Sequence, residues 1–69
     1  MKLTTPMGGT VWKVNKHEGD TVKQGEVVLI LESMKMEIPI EATEDGVLEK
    51  LFVNEGDFVQ ESDVVAQLG

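Results

Sequence analysis

The chain of 69 residues contains no cysteine, so neither a disulfide nor a thiolate metal site can stabilise it. Basic residues are also scarce: 6 Lys and Arg stand against 13 Asp and Glu, which gives a formal net charge of −7. That balance argues against nucleic acid and anionic membrane surfaces as partners. The longest apolar run, Val27–Leu31, is too short to span a bilayer, and no N-terminal targeting signal is visible. We therefore expect one monomeric, cytoplasmic domain over residues 1–69.

Groups that could perform chemistry are few. His17 is the only histidine and has no second histidine or cysteine near it, which disfavours a metal site. A Ser-His-acid set would need His17 to meet Ser33 or Ser62, and no motif supports that arrangement. The glycine spacing matches no phosphate-binding loop. These absences predict a protein that is not an enzyme by itself.

What the sequence does contain is an internal repeat. Residues 9–31 align with residues 46–68 at an offset of 37 without a gap, and nine of the 23 aligned pairs are identical. Ordinary composition would give roughly one or two identical pairs. A repeat of this length is usually one supersecondary unit that cannot bury its apolar face alone. We therefore expect the two copies to close on each other within a single domain.

Frequent valine and punctuating glycine favour strands and turns, and no segment of helix length shows a sustained apolar stripe. The sequence predicts eight extended segments. Five are longer and three are short. The longer ones lie near Thr10–Val14, Val27–Glu32, Glu37–Glu41, Val47–Val53 and Asp63–Leu68, and the short ones near Lys2–Thr5, Thr21–Lys23 and Phe58–Gln60.

Alternation along two equivalent strands predicts which side chains face the core. The shared apolar positions are Val27, Leu29 and Leu31 with their partners Val64, Ala66 and Leu68, and we expect all six to point inward. Ile30 and its partner Gln67 should then point outward. Val11 and Val14 do not alternate cleanly, so a β-bulge is expected between them.

One acidic tripeptide recurs in both copies, as Glu18-Gly19-Asp20 and Glu55-Gly56-Asp57. A pair of catalytic carboxylates is one interpretation. The alternative is a turn in which glycine adopts a positive φ and aspartate accepts hydrogen bonds from nearby backbone amides. We favour the turn, because positions duplicated across a scaffold usually serve its shape.

Between the two copies lies a segment that reads as a tight hairpin, Ser33-Met34-Lys35-Met36. A turn places its central side chain in water, so we expect the Lys35 amine to be exposed. An exposed lysine is mostly protonated and a poor nucleophile, but another enzyme that supplies an activated acyl group can acylate it. Met34 and Met36 beside it suggest contact residues for partner proteins. The alternative is that both methionines fill the core beneath the hairpin.

These residues resemble a known family. The segment Glu32-Ser33-Met34-Lys35-Met36-Glu37 is similar to the attachment motif of biotinyl domains, whose centre is Met-Lys-Met. The resemblance extends over the whole chain and is greatest to small free-standing bacterial biotin/lipoyl attachment proteins. It implies an all-β fold of the barrel-sandwich type, a flattened β-barrel of two four-stranded antiparallel sheets with quasi-twofold symmetry. The lysine would lie on an exposed hairpin.

The resemblance also implies a function. A biotin protein ligase would join biotin to Lys35 through an amide, and the tethered biotin would carry a carboxyl group from a biotin carboxylase to a carboxyltransferase. Met34, Met36, Glu32 and Glu37 would then serve in partner recognition. The chain would be a biotin carboxyl carrier, with no catalysis of its own.

Two departures and two alternatives accompany this resemblance. Ser33 stands where the family commonly has alanine, and the gapless repeat leaves no room for the inserted loop of many acetyl-CoA carboxylase carriers. A lipoyl domain has the same fold, but its lysine usually follows aspartate and precedes a small residue, whereas methionines occupy both positions here. The second alternative is an unmodified structural barrel-sandwich module, as in membrane-fusion adaptors.

Overall fold

A computed structural model describes the whole chain, Met1–Gly69. It contains eight strands: β1 Lys2–Thr4, β2 Gly9–Val14, β3 Thr21–Val22, β4 Val27–Ser33, β5 Met36–Glu41, β6 Gly46–Leu51, β7 Phe58–Val59 and β8 Val64–Leu68. The predicted all-β fold is confirmed, and each strand lies within two residues of its expected limits. No helix is present that is long and apolar enough to cross a membrane.

The strands form two four-stranded sheets, with the orders β1-β8-β6-β3 and β5-β4-β2-β7. All pairings are antiparallel. The two sheets have equivalent orders, because the strands at matching positions differ by four in number: β1 matches β5, β8 matches β4, β6 matches β2 and β3 matches β7. Each sheet therefore contains two strands from each half of the chain, so the halves interlock.

The repeated acidic tripeptides are turns, as favoured from the sequence. Gly19 and Gly56 have φ angles of 94° and 93°, a region that glycine adopts without steric cost. Asp20 accepts a 2.8 Å hydrogen bond from the backbone N–H of His17, three residues earlier. The same bond, also 2.8 Å, joins Asp57 to the N–H three residues before it.

These turns also join the two halves. The Gly19 N–H donates to the carbonyl of Leu48, and the Gly56 N–H donates to the carbonyl of Val11, both at 2.8 Å. The glutamates act in the same reciprocal way. Glu18 accepts the N–H of Leu51 at 3.0 Å, and Glu55 accepts the N–H of Val14 at 2.9 Å. The carboxylates are thus structural, which explains their presence in both copies.

The core is one cluster of 14 buried apolar residues between the sheets. The prediction that Val27 and Val64 belong to it is wrong, because both lie partly or largely exposed at its edge. Val28 and Val65 are fully buried instead. Each is the extra residue of a β-bulge, which shifts the alternation by one. The other inward positions, Leu29, Leu31, Ala66 and Leu68, are buried as expected, and Ile30 and Gln67 lie outside the core.

The bulge expected between Val11 and Val14 is present in the pairing of β2 with β4. Val11 pairs with Leu31 and Lys13 with Ile30, so Trp12 is the extra residue. Its indole remains 50% exposed. A matching bulge in β6 makes Glu49 the extra residue opposite β8.

Candidate functional site

A two-residue turn of Met34 and Lys35 joins β4 to β5, closed by the pair Ser33 and Met36. The φ angles of Met34 and Lys35 are 52° and 64°. Two positive φ values in succession are the signature of a type I′ turn, whose twist suits a hairpin but which normally contains Asn-Gly. A non-glycine residue in this region costs on the order of 1–3 kcal/mol. Ser62, in a separate turn, is the other non-glycine residue at positive φ, at 71°. Two such residues in succession at one exposed turn favour a functional constraint on their side chains.

All three central side chains of the hairpin face solvent. Met34 is 82% exposed, Met36 is 54% exposed, and Lys35 between them is also exposed. The alternative that the methionines fill the core is therefore wrong. The only salt bridge of the structure joins Lys16 Nζ to Glu26 Oε2 at 3.1 Å, so the Lys35 ammonium has no carboxylate partner. Its amine is accessible to an approaching reagent.

Two carboxylates lie at the base of this turn. Glu32 and Glu37 are direct cross-strand partners, one pair before the Ser33–Met36 pair, and both are exposed. Like charges at directly opposed positions destabilise a sheet. Neither carboxylate has a cation in salt-bridge contact. The two residues thus give the hairpin a negative base that the fold itself does not require.

A close backbone approach holds the hairpin against β2. Gly9 is buried, and a Cβ built on it would lie 2.5 Å from the carbonyl oxygen of Glu32. Any side chain at this position would push β4 away. Beside the contact lies an open groove of about 620 Å³, lined by Gly8–Thr10, Glu32–Lys35 and Phe58. A group attached to Lys35 therefore has free space next to it.

The other candidate residues are not assembled into a site. His17 lines a hollow together with Asn54 and Glu55. Neither Ser33 nor Ser62 lines it. No group of three or more His, Asp or Glu side chains is placed to hold a metal ion. Glu26 lies at the opposite end of β4 from the hairpin. Its hydrogen bonds from the Lys16 ammonium and from the Lys23 backbone hold the pKa of its carboxyl below the ordinary range.

Two features of the site were missed from the sequence. One is the role of Gly9, which depends on a contact between strands that alignment of the repeat does not show. The other is the position of Phe58, which is 71% exposed and lines the groove beside Lys35. An aromatic residue in a short, acidic, turn-rich segment was the available signal.

Comparison with known proteins agrees with this geometry. A family profile described as “Biotin-requiring enzyme” matches residues 1–68, which is nearly the whole chain. The chain belongs to this biotin/lipoyl attachment family. It is 47% identical over 68 residues to the biotin/lipoyl attachment protein of Bacillus subtilis, covering 99% of this chain and 93% of that protein.

Larger proteins contain similar segments. The chain is 44% identical over 66 residues to a biotin-dependent acyl-coenzyme A carboxylase alpha3 subunit of Mycobacterium leprae, covering 96% of this chain and 11% of that subunit. The crystal structure of Kluyveromyces lactis urea carboxylase superposes with a TM-score of 0.95 at 35% identity, covering 100% of this chain and 6% of that one. The chain spans only a small part of these two enzymes.

These findings confirm five predictions. The family and the barrel of two four-stranded sheets are as expected. The chain is a biotin carboxyl carrier domain, homologous to those of biotin-dependent carboxylases, and biotin is its cofactor. It is a carrier rather than an enzyme. The roles of Lys35, Met34, Met36, Glu32 and Glu37 stay predictions.

Proposed function

We propose that Lys35 is the residue to which biotin is attached, through an amide between its Nζ and the biotin carboxyl group. The observation that carries this proposal is the exposed, unpaired ammonium at the tip of a strained two-residue turn. The surroundings suit such a group. The groove beside the turn is open, and no salt bridge to a carboxylate has to break before the amine reacts. Bound biotin would carry a carboxyl group between a biotin carboxylase and a carboxyltransferase.

The residues of the chain contribute position rather than bond chemistry. The paired strands β4 and β5 fix the base of the turn, so the attached group swings from a defined point. Tethering replaces a bimolecular encounter by an intramolecular one and raises the effective concentration of the carried group. The exposed thioethers of Met34 and Met36 flank the tether and offer adaptable apolar contact to each partner.

We further propose that a biotin protein ligase is the enzyme that modifies the chain. The acyl group would reach Lys35 as biotinyl-adenylate, the amine would attack its carbonyl, and adenylate would leave as the new amide forms.

We also propose that the chain acts as a monomer in the cytoplasm, with no nucleic acid or membrane partner. Its net charge of −7 supports the monomeric state and the absence of anionic partners, because like charges repel and keep small acidic domains dissociated. Amide formation removes one positive charge and should change the net charge from −7 to −8.

Intact-mass measurement tests the attachment site. Purified chain is incubated with a biotin protein ligase, ATP and biotin, and in parallel with a lipoate ligase and lipoate. We expect one biotinyl group on the wild type, none on Lys35→Arg, and full labelling of the matched control Lys50→Arg. A biotinyl group on Lys35→Arg would contradict the assignment of Lys35. Labelling by lipoate alone would favour the lipoyl alternative.

A further inference from the structure

The internal repeat provides a comparison within one molecule. Outside the hairpin itself, residues of one sheet have counterparts 37 positions away in the other sheet, on equivalent strands. The requirements of folding apply to both sheets alike. A systematic difference between counterparts therefore indicates a requirement that only one sheet has.

Such a difference separates the outer faces of the two sheets. The sheet that contains the Lys35 hairpin, β5-β4-β2-β7, carries four apolar residues outside the core where the other sheet carries polar ones. We call these four the apolar face: Trp12, Ile30, Pro39 and Phe58, whose counterparts are Glu49, Gln67, Lys2 and Thr21. The two residues of each pair are either both exposed or both half-buried, so burial does not explain why one is apolar and the other polar.

The exchange in the opposite sense is smaller. Thr10 corresponds to Val47, which is 41% exposed on the second sheet. Phe52, directly after β6, is 54% exposed, and its N–H donates to the Val65 carbonyl of β8 at 2.9 Å, so the second sheet also carries one exposed aromatic residue. The other two aromatic residues, Trp12 and Phe58, lie on the sheet of Lys35.

The residues of the apolar face lie on neighbouring strands. Ile30 on β4 lies opposite Pro39 on β5, and on its other side lies opposite Lys13, next to the bulge residue Trp12. Phe58 on β7 lies opposite Thr10 on β2. Neighbouring strands are about 4.8 Å apart, so side chains on adjacent strands can touch one partner surface together. The four residues come from four adjacent strands of one outer face, on which the exposed Thr10 and Lys13 lie among them.

This surface continues into the Lys35 hairpin and has an acidic border. Glu32 follows Ile30 by two residues on β4, and Glu37 precedes Pro39 by two residues on β5. Glu41 lies two residues beyond Pro39 on the same strand. All three carboxylates are exposed, and none is paired with a lysine. A complementary partner therefore has an apolar patch bordered by arginine or lysine.

We propose that the apolar face is the docking surface for the biotin protein ligase, a partner with a basic border around an apolar patch. This inference rests on the proposed function of Lys35 as acceptor. The ligase has to distinguish Lys35 from five other lysines, and a turn of four residues offers far less than the roughly 800 Å² that each partner of a stable interface buries. Exposed aromatic side chains are the residues that most often dominate such contacts. Docking on this face holds the amine of the adjacent hairpin in position for acyl transfer.

The second sheet supplies the substitutions for the test. A triple variant, Trp12→Gln, Ile30→Gln and Phe58→Thr, gives each position its counterpart residue or, for Trp12, the neutral analogue of that residue. The net charge is unchanged. The matched control, Val47→Thr, removes an exposed apolar residue from the opposite outer face. Steady-state biotinylation is measured with a biotin protein ligase, ATP and biotin, and thermal melting is recorded for every variant. Phe58→Thr alone, at a position 71% exposed, gives a second variant that leaves the core intact.

We expect the KM for the triple variant to rise at least about fivefold, because a single hot-spot aromatic residue in an interface contributes more than that. The kcat should change little, and Val47→Thr should match the wild type. An unchanged KM for the triple variant, with the wild type labelled on Lys35, would overturn this inference and leave the proposed function intact. Equal effects in Val47→Thr would also overturn it.

Three other outcomes are informative. Normal ligase kinetics with impaired carboxylation of the biotinylated triple variant would assign the face to a carboxylase and refute docking of the ligase. Self-association of the wild type that the triple variant loses, measured by sedimentation with ligase kinetics unchanged, would assign it to a second copy. A wild type that accepts no biotin would refute the proposed function itself, and this inference with it.

Discussion

Replacing Gly9 by alanine tests whether the contact between β2 and β4 sets the position of the Lys35 hairpin. The new Cβ would lie 2.5 Å from the Glu32 carbonyl oxygen and 3.1 Å from Ser33 Cβ. Ordinary contact begins at 3.4 Å, so the backbone of β4 would have to retreat by about 0.9 Å (3.4 minus 2.5). A carbonyl oxygen cannot rotate away as a long side chain can. The displacement therefore reaches the strand that ends in the hairpin.

Overpacking of this kind typically costs about 1–3 kcal/mol. Alanine also lowers the conformational entropy of the unfolded chain, which stabilises the folded state by about 0.4–1 kcal/mol. We therefore expect Gly9→Ala to lower the free energy of unfolding by about 1–2 kcal/mol. For a domain of this size, that corresponds to a decrease in melting temperature of roughly 4–16 °C. The loss is large relative to the total stability of roughly 3–10 kcal/mol expected for 69 residues.

Its repeat counterpart provides the control. A Cβ on Gly46 would lie 2.7 Å from the carbonyl oxygen of Gly69, with its next neighbour at 3.6 Å, whereas a Cβ on Gly9 would meet three atoms at 2.5–3.2 Å. Because the overlap at Gly46 is smaller and involves one atom, urea unfolding and thermal melting of Gly46→Ala should show a smaller loss than Gly9→Ala. Biotinylation should slow only for Gly9→Ala, because only there is the hairpin displaced. Equal stability of the two variants, or wild-type labelling of Gly9→Ala, would refute the argument.

Two further predictions concern the ion pair and the methionines. Because the pKa of Glu26 is lowered on folding by its bonds to Lys16 and the Lys23 backbone, its stabilising effect is present above the ordinary pKa of a glutamate and lost as the pH falls through the lower folded value. Glu26→Gln should therefore melt below the wild type at pH 7, and the difference in melting temperature should shrink as the pH falls below the ordinary pKa of a glutamate. A difference that stays constant as the pH falls would contradict this. Replacing Met34 and Met36 together by leucine should leave the melting temperature unchanged, since both are exposed, but slow the ligase. Wild-type kinetics for that double variant would exclude both thioethers from recognition.

The sequence was sufficient to predict the strands and their number, because turns separate short apolar segments and the repeat gives every strand a second copy. It was insufficient for the faces of β4 and β8. Alternation assumes an unbroken ladder, and one inserted residue moves every earlier side chain to the other face. Val28 and Val65 are such insertions, and each follows another valine, so the pattern alone cannot decide which of the two is buried.

The location of the candidate site was predictable for a different reason. Lys35 lies between the two copies, so it has no counterpart in the repeat, and neither do the methionines beside it. The acidic pair beneath the turn could not be identified as a pair, because that requires the register of β4 against β5. The close approach of Gly9 could not be predicted either, since it depends on a distance between strands.

The other end of the molecule shows that the fold does not itself require the strained turn. The pair of β1 and β8 is the counterpart of the pair of β5 and β4, and it forms without any connecting turn. At the place that corresponds to the turn, Met1 and Leu68 exchange two backbone hydrogen bonds of 2.6 and 2.7 Å. Strand pairing at this position is thus stable without a favourable turn sequence. The connection between β4 and β5 could have been Asn-Gly at lower conformational cost. Met34 and Lys35 in its place, each at positive φ, support the proposal that their side chains act outside the domain.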